Sequence, residues 1–168
     1  MQLLLIRHAI AEDAVEFAST GGTDAQRPLI DMGRKKMRKG ANRLRFQVQG
    51  IDVLACSTLR RARETAEIIA LAFGDLPILE RPDLAPYGDL DSLLVWLTEQ
   101  PATSTVALVG HEPQLNLLAG LLLVGTPRPL LSLKKGGVIL IDFDARAEPG
   151  AGRLRWALTP AQLRSLKD

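Results

Sequence analysis

Residues 3–8 read Leu3-Leu4-Leu5-Ile6-Arg7-His8, an apolar run that stops at an arginine and a histidine. A short apolar run with polar ends is typical of a strand buried on both faces of a parallel sheet. A second stretch, Val106-Ala107-Leu108-Val109-Gly110-His111, has the same form, and the chain has no histidines besides His8 and His111. Because ligands of open α/β sheets bind at the carboxyl ends of strands, we expect both histidines in one pocket.

Three further segments are predicted to be strands. Residues 51–55 and 138–143 are short apolar runs like the first two, and residues 154–158 alternate apolar and polar or small side chains. Alternation with a period of two is typical of an edge strand with one face in water. Residues 145–152 are expected to form a hairpin-type connection. Residues 12–28 are expected to be a surface loop near the pocket, without regular structure.

Helical patterns separate the predicted strands. Apolar or small side chains recur at helical spacing in four segments, which are residues 31–48, residues 60–73, residues 90–97 and a helix with Pro113 in its first turn. Asp31 is expected to cap the first of them. Since strands and helices alternate, the sequence predicts an α/β sandwich with a mostly parallel sheet. The length suits one domain, so residues 1–168 are predicted to form a single domain.

Composition excludes several classes of protein. Hydrophobic residues make up 46% and charged residues 24%, as in globular proteins, and the formal net charge of +2 is too small to indicate nucleic acid or membrane as a partner. The most apolar stretch, residues 115–124, is too short to span a bilayer. Cys56 is the only cysteine, so no internal disulfide can form. These features predict a cytoplasmic location.

A third strand end carries Cys56-Ser57-Thr58-Leu59-Arg60-Arg61-Ala62 and continues into a helix. A helix N-terminus favours anions, and the guanidinium of Arg61 adds a planar fork that matches phosphate oxygens. Arg60 and Arg63 are expected to face solvent, since one face of a helix can point at the site. Ser57 could simply cap this helix. Taken together, the three strand ends predict a phosphate site formed by Arg7, His8, Ser57, Arg61 and His111.

These motifs resemble those of the histidine phosphatase superfamily. Arg7-His8-Ala9 resembles its Arg-His-Gly motif, residues 57–66 resemble its Ser-x-x-x-Arg-Ala-x-x-Thr-Ala element, and residues 109–113 resemble its second-histidine motif. Residues 27–33 are similar to a stretch of the short bacterial branch, the SixA-type phosphohistidine phosphatases. The resemblance covers nearly the whole chain and implies a three-layer α/β/α sandwich. Two departures are Ala9 in place of the usual glycine and Thr58 where proline is frequent.

The resemblance implies a mechanism. His8 would attack phosphorus and become phosphohistidine, which water then hydrolyses, while Arg7, Arg61 and His111 hold the phosphate oxygens. His8 must be neutral to attack, and we expect a backbone carbonyl to hold its other ring nitrogen. His111 is expected to act as a cation or as a hydrogen-bond donor. The family needs no metal or cofactor, and the sequence shows no metal-ligand spacing.

The leaving group decides the substrate. Superfamily members that cleave phosphoesters carry a glutamate or aspartate acid after the second strand and helix, where this chain offers Glu80 and Asp83. We expect both to be solvated loop carboxylates and Asp89 to cap the next helix. The short branch typically has no such acid, because protonated imidazole leaves readily. The resemblance thus implies a histidine-phosphorylated protein, a phosphotransfer domain or carrier, as substrate, and phosphate or vanadate as inhibitors.

Two alternatives to this substrate are a small-molecule phosphomonoesterase and a mutase-like member of the same superfamily. A mutase usually needs more chain to enclose its sugar phosphate. The predicted helix from Asp31 also has a strongly basic character, with Arg34, Lys35, Lys36, Arg38, Lys39, Arg43 and Arg45. We expect these cations to be a solvated face; steering of an acidic partner is the alternative.

Overall fold

The computed structural model describes residues 1–167, in which six strands form one sheet. They are β1 (Gln2–Arg7), β2 (Val53–Cys56), β3 (Ile78–Glu80), β4 (Thr105–Gly110), β5 (Val138–Asp142) and β6 (Arg153–Leu158). The order across the sheet is β3-β2-β4-β1-β5-β6. The first four of these pair in parallel, and β5 is antiparallel to both β1 and β6. The predicted mostly parallel sheet is confirmed, as is β6 at an edge.

Six α-helices accompany the sheet: α1 (Ala14–Ser19), α2 (Asp31–Leu44), α3 (Arg60–Ala72), α4 (Leu90–Thr98), α5 (Gln114–Val124) and α6 (Pro160–Ser165). Side chains of β1 alternate between two buried clusters. Leu4 and Ile6 pack with α2, α3 and α6, whereas Leu3 and Leu5 pack with α4 and α5. Both faces of the sheet are therefore covered, which confirms the three-layer α/β/α architecture.

Several local predictions were wrong. The sequence analysis missed β3, which has only three residues and pairs in parallel with β2. Residues 12–28 are not a plain loop, because they contain α1 and a 3₁₀ turn at Asp24–Gln26. Asp31 is the first residue of α2 and does not cap it, and Pro113 directly precedes α5. Asp89 does cap α4, since its carboxylate accepts hydrogen bonds from the N–H groups of Asp91 and Ser92.

The start of α2 lies against the chain that follows β1. The N–H of Ile30 donates to the carbonyl oxygen of Ile10 at 3.1 Å. At Gly33 a Cβ atom would stand 2.2 Å from that same oxygen, so only glycine permits the approach. This contact places the first turns of α2 beside the residues that follow His8.

Candidate active site

The two histidines meet at the ends of adjacent parallel strands. β1 and β4 pair side by side, and the N–H of His8 donates to the carbonyl oxygen of Gly110 at 3.0 Å. The ring centroids of His8 and His111 are 4.9 Å apart, with 50° between the ring planes. Both side chains are buried. The predicted shared pocket is therefore present.

His8 is oriented by its own backbone. Its Nδ1 lies 2.8 Å from the carbonyl oxygen of Ala9, so Nδ1 carries the proton and Nε2 keeps a lone pair. The expected backbone carbonyl is thus confirmed. Ala9 itself is buried, and its N–H donates to Oγ1 of Thr65 at 3.0 Å. The methyl group of Ala9, which replaces the usual glycine hydrogen, lies within the core. Thr58, which stands where proline is frequent, is exposed to solvent.

His8 is neutral at physiological pH. The pKa of His8 is lowered from 6.5 to about 3, mainly by burial; the charges of Arg61, Arg7 and Lys135 contribute to this, and the hydrogen bond to Ala9 opposes it. A neutral imidazole has the free lone pair that nucleophilic attack requires.

His111 is also neutral in this site. The pKa of His111 is lowered from 6.5 to about 3, mainly by burial; neighbouring arginines contribute to this, and the charge of Asp24 opposes it. Its Nε2 lies 2.9 Å from Oγ of Ser57, and this Oγ accepts a hydrogen bond from the N–H of Leu59. The hydroxyl proton of Ser57 is then free to donate to Nε2, which leaves the ring proton on Nδ1. Nδ1 is buried without a partner in the described chain. Of the two expected roles, the geometry favours hydrogen-bond donor over cation.

Arg61 is buried and held by a residue that the sequence analysis did not single out. Its Nη1 and Nη2 donate to the carbonyl oxygen and the carboxylate of Asp24, at 2.9 and 3.0 Å. Asp24 also accepts from Nε of Arg27 at 2.9 Å. Burial lowers the pKa of Arg61 and the charge of Asp24 opposes this, so the guanidinium stays charged. Nothing in the local sequence around Asp24 signals this contact.

Arg7 and Ser57 have different relations to the pocket. Nη1 of Arg7 donates to the carbonyl oxygen of Leu133 at 2.8 Å, while its buried Nε has no partner in the described chain. The side chain also lines the cavity. Ser57 is fully buried and does not line the cavity. It contacts the site only by its hydrogen bond to His111. It does not cap α3 either, since that helix has no side-chain cap.

The cavity at these strand ends has a volume of about 470 Å³. Its cations and imidazoles are Arg7, His8, Arg27, Arg61, His111 and Lys135, and its carboxylates are Glu12, Asp13 and Glu112. Arg27 and Lys135 come from the loops before α2 and β5, and the sequence analysis assigned neither of them to the site. The four cations outnumber the three carboxylates, and the guanidiniums of Arg7 and Arg61 are suited to donate to the oxygens of a phosphate.

Comparison with known proteins identifies the family. Residues 3–95 match the histidine phosphatase superfamily (branch 1). The chain belongs to the histidine phosphatase superfamily. An uncharacterized protein of Picosynechococcus sp. (strain ATCC 27264 / PCC 7002 / PR-6) is 37% identical over 142 residues, which are 83% of each chain. Membership of this superfamily supports phosphatase activity.

Solved structures of the superfamily share the fold. The protein histidine phosphatase SixA complexed with tungstate has a TM-score of 0.81 and 27% identity, covering 97% of this chain and 99% of its own. The alpha-ribazole phosphatase from Shigella flexneri has a TM-score of 0.71 and 19% identity, covering 95% of this chain and 97% of its own. The fold therefore accommodates more than one class of phosphorylated substrate.

The two carboxylates expected to be candidate acids lie outside the cavity. Glu80, on β3, forms an ion pair with Arg63 at the surface. Asp83 is buried and bonded to Arg81, so the expectation of a solvated loop carboxylate is wrong for this residue. Neither carboxylate lines the cavity that contains His8.

Glu112 is a cavity residue that the sequence analysis quoted but gave no role. It is half-buried and lines the cavity, and its Oε1 has no hydrogen-bond partner among residues 1–167. Burial raises the pKa of Glu112, while a hydrogen bond with Asn116 and the charge of Arg7 oppose the rise. Its position directly after His111 was the available signal.

Within residues 1–167, no group of three or more His, Cys, Asp or Glu side chains is placed to hold a metal ion. No helix in that part of the chain combines the length and apolar character needed to cross a bilayer.

Proposed function

We propose that this superfamily member hydrolyses phosphohistidine on a protein, through a phosphorylated His8. The observation that supports it most is the neutral His8, whose Nδ1 is held by Ala9 and whose ring stands among the cations of the cavity. This combination provides a nucleophile and a binding site for the phosphoryl group in one place.

The reaction takes two steps. The lone pair on Nε2 of His8 attacks phosphorus, and the P–N bond of the substrate breaks as its imidazole takes a proton from solvent. Water then attacks the phosphorus of phospho-His8, so inorganic phosphate leaves and the electron pair returns to Nε2. Arg7, Arg61 and Nδ1–H of His111 hold the phosphoryl oxygens in both steps. Neither step calls for a metal or cofactor.

The leaving group favours phosphohistidine over a phosphoester. Imidazole accepts a proton near neutral pH, so it departs without an enzyme acid, whereas an alkoxide requires one. Glu80 and Asp83 are both engaged with arginines outside the cavity. An acid in the segment after β2 and α3 is thus not available in this conformation.

The test compares substrates directly. We expect kcat/KM for a histidine-phosphorylated phosphotransfer domain to exceed that for serine and sugar phosphates by about 100-fold or more, which is the scale of one acid–base contribution. The rate should be unchanged by EDTA, and phosphate and vanadate should compete with substrate. A higher kcat/KM on any phosphoester would overturn the assignment.

Glu112 favours a second candidate, a small-molecule phosphomonoesterase. A half-buried carboxyl with a raised pKa is suited to protonate an alkoxide leaving group. Under this alternative, Glu112→Gln lowers hydrolysis of alkyl phosphates about 100-fold and barely affects p-nitrophenyl phosphate, whose leaving group needs no proton. Equal, small effects on both esters would remove this candidate.

A further inference from the structure

A basic groove lies on the surface between α2 and α6. Its volume is about 640 Å³, and it is lined by Asp31, Met32, Lys35, Lys36, Lys39 and Arg164. The sequence predicted seven cations on the helix from Asp31. In the structure only Lys35, Lys36 and Lys39 of these line the groove. Arg164, from a helix that the sequence analysis did not identify, completes the groove.

The groove cations are free of carboxylate partners. Arg34 is bonded to Glu64 at 2.7 Å, and Arg38 lies beside α3 at a separate surface depression. In residues 1–167, by contrast, no carboxylate lies within ion-pair distance of Lys35, Lys39 or Arg164. The same holds for Lys36. Asp31, the carboxylate that lines the groove, is 3.6 Å from Arg34.

The groove is linked to the catalytic cavity through shared lining residues. A smaller cavity of about 110 Å³ between them is lined by Ala9, Lys36, Lys135 and Arg164, among others. It shares Lys135 with the catalytic cavity, and Lys36 and Arg164 with the groove. A strip of positive charge thus runs from the mouth of the phosphate site onto the outer face of α2.

Close packing of two helices builds this strip. A Cβ atom at Gly40 would stand 3.2 Å from Cδ2 of Leu163, so the absent side chain lets α6 approach α2 closely. The approach brings Arg164 next to the lysines. Lys35 and Lys39 are one helical turn apart, about 6 Å along the axis, and can contact neighbouring carboxylates of one partner surface.

Local charge complementarity points to an acidic partner. The whole chain has a formal net charge of only +2, yet four cations and a single carboxylate line this groove. Met32, which is 57% exposed, adds an apolar contact in its wall. Clustered unpaired cations beside a small exposed apolar group are suited to an acidic protein face.

We propose that the groove docks an acidic face of the same protein that presents its phosphohistidine to His8. The proposal rests on the proposed function. A small phosphorylated molecule fills the catalytic cavity alone, whereas a protein substrate must also cover the strip that leads out of it. Docking therefore raises the association rate and lowers KM for the phosphoprotein without changing the chemical step.

The test uses two variants of the full chain with the same change in charge. Lys35→Glu/Lys39→Glu reverses charge inside the groove, and Arg38→Glu/Arg45→Glu does so outside it, within α2 and at the residue that follows it. The substrates are an acidic, histidine-phosphorylated phosphotransfer domain and phosphoramidate. At low salt we expect the groove variant to lower kcat/KM for the phosphoprotein about tenfold, and at about 0.5 M salt to match wild type.

The controls separate docking from folding and from the proposed function. Both variants should hydrolyse phosphoramidate at the wild-type rate. If the charge reversal unfolds α2, a Lys35→Gln/Lys39→Gln variant takes its place, and it should show about half of the expected loss of kcat/KM for the phosphoprotein. Equal loss of phosphoprotein activity in both charge-reversal variants, or in neither, overturns the docking proposal. If the wild type binds a DNA duplex and only the groove variant fails to bind it, the groove is a nucleic-acid site and the docking proposal is wrong. Wild-type protein that hydrolyses phosphoramidate and ignores the phosphoprotein overturns the proposed function itself.

Discussion

The Nδ1 atom of His8 lies 2.8 Å from the carbonyl oxygen of Ala9, the residue that follows it in the chain. A carboxylate at this position would orient the ring equally well, but it would add to the three carboxylates that already line the cavity and would favour protonation of His8. A carbonyl fixes the tautomer without that penalty. Orientation of His8 thus depends on the backbone turn after β1, which the hydrogen bond from Ala9 N–H to Thr65 stabilises.

His8→Ala should abolish turnover, because the other neutral imidazole in the cavity, His111, has its unprotonated Nε2 occupied by the hydroxyl of Ser57. We expect a loss of about 10⁴-fold or more, typical of removal of a nucleophile. Rapid quench of the wild type with labelled substrate should trap phosphate in an acid-labile, base-stable form, and the variant should trap none. Retention of more than a few per cent of activity by His8→Ala would show that another group attacks phosphorus.

Arg61→Ala should lower kcat/KM by about 100- to 1000-fold, as when one donor to a developing charge is removed. The neighbouring Arg60→Ala is a matched control, since Arg60 is exposed and bonded to Glu64 on the outer side of α3. We expect the control to keep nearly full activity and the wild-type affinity for vanadate, both of which Arg61→Ala should lose. Similar rates for the two variants would mean that phosphate does not contact Arg61.

The central sheet and its paired histidines could be predicted because they depend on local pattern. Leu3 to Ile6 and Val106 to Val109 are apolar on both faces, and strands of this kind lie inside a parallel sheet with their polar ends at one edge. Short elements with weaker sequence patterns were not predicted. β3 has three residues, and α1 has no buried residue to give it an apolar stripe.

The remaining parts of the site could not be predicted because they arise from tertiary contacts. Asp24 and Lys135 lie in polar segments with no periodic pattern, and only the fold brings them to Arg61 and His8. The same reason applies to His111, for which the sequence left two roles open, a cation or a hydrogen-bond donor. Burial and the neighbouring cations, neither visible in its sequence motif, keep it neutral.

Neither Asp83→Asn nor Glu80→Gln should change the rate of phosphohistidine hydrolysis by more than about twofold, since both carboxylates lie outside the cavity. Asp83→Asn should lower stability, because it leaves Arg81 without its charged partner at a buried position. Rates should therefore be measured per folded molecule, with thermal unfolding as the readout of stability. A loss of about 100-fold in rate from either variant would identify a general acid and favour a phosphoester as substrate.

The free energy of unfolding should fall as the pH drops below about 6.5, because of the two buried histidines. In the folded chain the pKa of His8 and that of His111 are lowered from 6.5 to about 3, mainly by burial. Between these values the unfolded chain binds protons that the folded chain does not, so acid favours unfolding, and above pH 6.5 the effect vanishes. From pH 7 to pH 5 we expect a loss on the order of 1–2 kcal/mol for each histidine.

Urea denaturation at pH 7 and pH 5 measures this loss, in a buffer without phosphate so that binding of the ion to the folded state does not add stability. The double variant His8→Gln/His111→Gln lacks both titrating groups and should lose less stability over the same interval, by the sum of the two contributions. Each single variant should lie between the double variant and the wild type. Because most carboxylates titrate below pH 5, the interval isolates the histidines. Equal pH dependence of the wild type and the double variant would show that folding does not lower the pKa of either histidine.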